Sequence, residues 1–207
     1  DGVVIADTGR VQSGSGAMAI SGTGGTSSGL ASRTSDGIVM EGSGFITSSS
    51  GSVKLTGAGG SGINGTPSRA IAQDGSGIIT ATGLEIVSTS NGWVNLTNNN
   101  HIDTLAGDVR TGMAFDNGGN NLTIGTVNDR VGFTDTSSAE IGLVDINALT
   151  VDESIEMSSG TLKIAADTIG IANGKRIGTK VSSTGRNVDV WLTGRANNGV
   201  TAARDID

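Results

Sequence analysis

The stretch Asp36–Gly60, DGIVMEGSGFITSSSGSVKLTGAGG, decides the fold. It holds three short runs, Gly37–Glu41, Phe45–Ser49 and Ser52–Thr56, separated by glycine and serine. In the last run Val53 and Leu55 fall on one side, and Ser52, Lys54 and Thr56 on the other. A period of two is the pattern of a half-buried β-strand. β-Branched residues fill the runs and glycines punctuate them. No window of the chain sustains a 3.6-residue period, and no helix cap leads into an apolar stripe.

The stretch is the middle of three copies. Asp1–Val11 (DGVVIADTGRV), Asp36–Ile46 (DGIVMEGSGFI) and Arg69–Ile79 (RAIAQDGSGII) align, and so do the segments that follow them. The first two copies are offset by 35 residues and the second and third by 33. The strings Ile20–Thr26 (ISGTGGT) and Leu55–Ser61 (LTGAGGS) occupy one phase of the repeat. Beyond Asn100 the strand-like runs Leu122–Val127, Ile141–Ile146, Leu162–Ala166 and Val188–Leu192 recur at roughly 20–25 residues. Two strand runs with their turns fit each interval.

A three-strand unit repeating with glycine corners predicts an all-β chain, a parallel β-solenoid (β-helix) of about 7–9 coils. Successive coils would stack at about 4.8 Å. The whole chain, 1–207, reads as one solenoid. Residues 1–100 form long 33–35-residue coils with glycine-rich loops, and 101–207 form shorter coils. Composition agrees: 35 of 207 residues are glycine, aromatics are 2%, and tyrosine is absent. A narrow interior of stacked Val, Ile, Leu and Ala leaves little room for large rings. The competing architecture, an antiparallel β-sandwich, predicts hairpins and no preserved phase between copies.

Composition also limits function. The net charge is −7 and no basic patch stands out, which argues against nucleic acid. Without cysteine there is neither a disulfide scaffold nor a thiolate metal site. No apolar run approaches the roughly 18 residues of a membrane helix, so membrane insertion is not expected. The chain begins at Asp1 and carries no signal peptide, so it is expected to be a processed product or a piece of something longer.

Chemical motifs fare poorly against their structural readings. Gly57–Gly62 matches G-x-G-x-x-G, but Ile63–Ser68 (INGTPS) cannot start the helix a dinucleotide site requires, and Ser27 breaks the pattern in the first copy. Gly170–Lys175 (GIANGK) is one residue short of a P-loop and lacks its Ser/Thr. Asp74-Gly75 and Asp116-Asn117-Gly118 are ordinary turn signals, with no nine-residue calcium array around them. His101 is the single histidine, with Asp103 and Asp108 nearest. The densest acidic group, Asp145, Asp152, Glu153 and Glu156, reads as a solvated face. Asn98–Asn100, with Asn120 and Asn121, are expected to form an amide ladder at a corner. Trp93 and Trp191 lie in alternating runs, where they either pack or stack on sugars. Asn95-Leu96-Thr97 and Asn121-Leu122-Thr123 are glycosylation sequons that this composition makes uninformative. No catalytic residue, cofactor or metal is expected.

Asn121–Val127 (NLTIGTV) followed by Asn128-Asp129-Arg130-Val131-Gly132 resembles an element common in very large bacterial surface proteins, and the ISGTGGT and LTGAGG units resemble their glycine-rich repeats. The resemblance is to filamentous-haemagglutinin-like adhesins, exported by two-partner secretion or as autotransporter passengers. It implies a right-handed parallel β-helix, a cell-surface or extracellular location, and a part in adhesion, biofilm or filament building. It supplies no catalytic residues. The expected function is a non-enzymatic structural or adhesive segment or subunit; the alternative is a carbohydrate-active β-helix, a lyase or depolymerising spike. Asn198–Ile206 (NGVTAARDI) resembles the start of another repeat, so head-to-tail self-association into a fibre is expected as one form of assembly. A glycan or a host or neighbouring cell-surface ligand would contact the loops Thr26–Ser35 and Ser61–Ser68. The contact residues expected there are Thr26, Ser27, Ser28, Arg33, Ser61, Asn64 and Arg69.

Overall fold

The structure, a computed structural model, describes residues 1–26, 35–60, 68–90, 92–135, 138–179 and 188–194. Among these every regular element is a strand and none is a helix. One sheet of 17 strands holds nearly all of them, and each pairing within it is parallel. The sandwich alternative, which needs antiparallel neighbours, is not what forms.

The strands are β1 (Val3–Ile5), β2 (Arg10–Ser13), β3 (Met18–Thr23), β4 (Ile38–Gly42), β5 (Phe45–Ser48), β6 (Ser52–Ala58), β7 (Ile71–Gly75), β8 (Ile79–Ser88) and β9 (Val94–Leu96). They continue as β10 (His101–Val109), β11 (Gly112–Ile124), β12 (Thr126–Val127), β13 (Arg130–Val131) and β14 (Phe133–Asp135). The last are β15 (Ser138–Val151), β16 (Ile155–Met157), β17 (Ser159–Ile171), β18 (Ile177–Thr179) and β19 (Val188–Thr193).

Register follows the repeat. The first run of each copy pairs with the first run of the next, so Val3, Ile38, Ile71, Val94, Met113, Ile141, Leu162 and Val190 form one column. The second run gives Val11, Ile46 and Ile79. The third gives two inward columns. One is Met18, Val53, Leu84, Leu105, Ile124, Val151 and Ile171. The other is Ile20, Leu55, Ile86, Gly107, Phe133, Ile155 and Ile177. The middle members of these columns are sealed from solvent and belong to one continuous aliphatic core. Each such Ile or Leu contributes roughly 1.5–3 kcal/mol of burial. Phe133 fits because Gly107 faces it: a Cβ there would lie 2.6 Å from the ring.

The run Leu122–Val127, read from sequence as one strand, is interrupted. β11 ends at Ile124, and β12 and β13 form a small antiparallel hairpin before β14 resumes the ladder. The Gly132 N–H donates to the Gly125 carbonyl at 2.9 Å and closes the base of this excursion. Asn128, at its tip, takes a left-handed φ of 53°, which asparagine tolerates better than most residues.

An amide network fills one inner corner. Asn100 and Asn117 are both 0% exposed. Asn100 Oδ1 accepts the Ile79 N–H at 2.9 Å, and further along the ladder Asn117 Oδ1 accepts that of Ile102 at 3.0 Å. Gln73 donates to Asn100 Oδ1 at 2.8 Å, and Asn120 Nδ2 donates to the Asn100 carbonyl at 3.3 Å. Of the ladder expected of Asn98–Asn100, Asn120 and Asn121, only part forms: Asn98, Asn100 and Asn120 join this network with Gln73 and Asn117, Asn99 is exposed, and Asn121 Oδ1 instead accepts the Asn147 amide at 2.8 Å.

Beside it, Asp116 Oδ1 accepts the Gly118 N–H at 2.7 Å. Burial raises the Asp116 pKa above its ordinary 3.8, the Gly118 hydrogen bond opposes this, and the charge of Asp145 adds to it. A carboxyl raised in the folded state costs stability when ionised, and that cost is relieved as pH falls toward 3.8. Asp116→Asn keeps the acceptor and removes the charge. It is expected to exceed the wild type in stability at neutral pH. The difference should shrink on acidification, as urea midpoints measured across pH would show.

Candidate functional site

The most developed group of polar side chains lies on the outer face of β6, β8 and β10. Alternation puts Val53 and Leu55 inside and Ser52 and Lys54 outside. Register sets Lys54 beside Glu85 on the neighbouring strand, and Lys54 Nζ meets Glu85 Oε1 at 2.8 Å. The hairpin then folds back over them. Val127, 4% exposed, lies over Gly83, where a Cβ would come within 3.0 Å of it. Asn128 Nδ2 donates to Glu85 Oε2 at 2.8 Å, and Ser52 Oγ donates to Asn128 Oδ1 at 2.7 Å. Arg130 stands between two acids, 3.8 Å from Glu85 and 3.7 Å from Asp108.

Glu85 is left only 2% exposed. Burial raises its pKa, but hydrogen bonds from Lys54 and Asn128 and the charges of Lys54 and Arg130 outweigh that and hold the carboxyl below its ordinary value. A general acid for glycoside cleavage needs the opposite shift and contact with the substrate. This carboxylate is ionised, covered and occupied. It holds a lysine amine and an asparagine amide, one on each oxygen.

Sequence reading placed ligand contact elsewhere. Of the residues named for it, Ser27, Ser28, Arg33, Ser61 and Asn64 lie outside the described residues, as does the Asn198–Ile206 repeat start. Thr26 is exposed at the end of its glycine turn. Arg69 is engaged within the fold. Asp36, 1% exposed, accepts the Arg69 N–H at 2.7 Å and its guanidinium at 2.5 Å, and Asp74 takes the same guanidinium. Asp1 does for the Asp36 N–H, at 2.9 Å, what Asp36 does for that of Arg69. The start of each copy is thus a column in which one side chain caps the next backbone. Arg69→Met would leave the buried Asp36 carboxylate with the residue 69 N–H but without its guanidinium. An expected loss of about 2 kcal/mol would be seen as a lowered urea midpoint.

Two of the four acids in the dense group are paired along the ladder: Glu153 meets Lys175 at 2.6 Å, and Glu156 meets Arg176. Lys175, in the near-P-loop string, is thereby committed to a carboxylate. No group of three or more His, Asp or Glu that could hold a metal is found among the described residues. No helix there is long and apolar enough to cross a membrane. Trp93 is 37% exposed and packs on Gly112. Trp191 is 61% exposed and, with Val144, Lys163, Ile164, Ala165 and Thr193, lines an apolar groove of about 270 Å³.

Glu85 and Asn128 escaped the sequence reading. Lys54 and Glu85 share a phase of the repeat, which is a legible cue. The return of Asn128 onto them depends on the hairpin. Comparisons against protein-family models, characterised proteins and solved structures each return no match.

Proposed function

We propose that this chain is an extracellular structural or adhesive β-solenoid, a segment or subunit of a cell-surface adhesin or fibre of the filamentous-haemagglutinin-like kind. In this reading the parallel ladders wind into a right-handed β-helix, the hand that parallel crossover connections nearly always take. The observation that carries it is the set of in-register parallel columns running from Val3 to Val190 over one aliphatic core. Such an arrangement spends the chain on length and stiffness, and affinity would come from many weak contacts along a rod. The covered state of Glu85 and the pairing of Glu153 and Glu156 weigh against hydrolysis. The exposed Trp191 groove is the place on the described surface best suited to stack on a sugar ring.

Small-angle scattering would return an elongated rod; a compact sphere would sink the architecture. A glycan array and a reducing-end assay then divide the functions. Array signal that Trp191→Ala removes, with no new reducing ends, fits an adhesive rod. New reducing ends would transfer the protein to the carbohydrate-active class. Negative-stain imaging across concentration tests head-to-tail assembly.

A further inference from the structure

The clamp over Glu85 holds the reactants of an amide exchange. We propose that Lys54 and Asn128 form an intramolecular isopeptide bond, with Glu85 as the proton relay. Three observations carry it. The Lys54 amine and the Asn128 amide are bound to the two oxygens of a single carboxylate, each at 2.8 Å. The carbonyl of that amide accepts the Ser52 hydroxyl at 2.7 Å, a donor placed where negative charge develops when a nucleophile adds. The carboxylate itself is 2% exposed, covered by Lys54 and Asn128, which reach it from the solvent side.

The step balances without any other reagent. The Lys54 ammonium gives one proton to Glu85, which frees the nitrogen lone pair. Nζ attacks Cγ of Asn128 and the carbonyl oxygen becomes an oxyanion held by Ser52. As the carbonyl re-forms, the Cγ–Nδ2 bond breaks. Glu85 returns its proton to the departing nitrogen, and the second proton lost by Nζ follows, so nitrogen leaves as ammonium. The product is a secondary amide between Nζ and Cγ, and Glu85 ends as the carboxylate it began as. The groups facing this carboxylate are Lys54, Asn128 and Arg130. Arg130 favours its ionised form, which limits the population with a free amine. A reaction that occurs once per molecule tolerates that, because the two ends are already held together.

The bond would tie β6 to the hairpin tip and make permanent a contact that is otherwise an ion pair and two hydrogen bonds. In a rod exposed to shear or proteases this fixes the excursion over the ladder.

Mass spectrometry of the whole chain tests it. After prolonged incubation the intact wild type should weigh about 17 Da less than its sequence, one ammonia. A tryptic digest should contain one joined peptide linking Lys54 to Asn128. Lys54→Arg, which keeps the charge over Glu85, should retain full mass. Glu85→Gln should slow the loss by about 100-fold or more. A wild type that stays at full mass overturns the proposal. So does a digest in which the ammonia loss persists in Lys54→Arg and maps to succinimide at an Asn-Gly pair such as Asn117-Gly118 or Asn173-Gly174, with no joined peptide in the wild type.

Discussion

Gly57→Val is expected to lower stability by about 3–4 kcal/mol, while Gly14→Ala should change it by less than about 0.5 kcal/mol. Both glycines sit in the same kind of sequence, and the difference is what each backbone touches. A Cβ on Gly57 would lie 2.2 Å from the Ala70 carbonyl oxygen, and one on its partner Gly22 would lie 2.1 Å from that of Gly37. These are backbone atoms just ahead of the next strands, Ile38–Gly42 and Ile71–Gly75. They cannot rotate away, so the strand end itself must shift. Nothing lies within 4 Å of a Cβ on Gly14. Urea unfolding followed by far-ultraviolet circular dichroism would compare the two. Equal midpoints would mean that the corner does not close as described.

Asn100→Leu should be of similar size, about 3–5 kcal/mol. Leucine matches the volume and loses every bond. The Ile79 N–H loses its acceptor, Gln73 loses both contacts, and the carbonyls of Leu96 and Asp116 lose a donor. All of this happens at a site with 0% exposure, where water cannot substitute. Asn99→Ala, one residue away and exposed, is the control and should stay within about 0.5 kcal/mol. Thermal melts of the pair would separate a built corner from a merely asparagine-rich one.

The ladders were legible because the repeat keeps its phase. Val53 and Leu55 declare their face by alternation, and the same alternation at Met18 and Ile20 and at Leu84 and Ile86 fixes which strand pairs with which. The glycine strings read correctly as the same strand end in successive copies, because their spacing matches the repeat. The hairpin was not legible. Thr126-Val127 continues the strand pattern of Leu122-Thr123-Ile124, and only the glycines at 125 and 132 hint that the chain leaves the ladder and returns. The clamp followed it into obscurity. Glu85 looks like any outward-facing acid on a strand, and its burial comes from residues far along the chain. Arg69 looked free for a ligand because neither Asp36 nor Asp74 reveals from sequence that it points the same way.

The hairpin also bears on how a near-periodic chain avoids pairing with the wrong copy of itself. Val127 needs a place without a side chain. In the outward column Ser52, Gly83 and Thr104, only Gly83 offers one. Sliding the ladder by one repeat in either direction would set Val127 against a hydroxyl-bearing residue and move Asn128 away from Glu85. The excursion therefore works as a key with a single keyway. Most of this molecule is built from interchangeable parts, and this one part tells the repeats which of them is which.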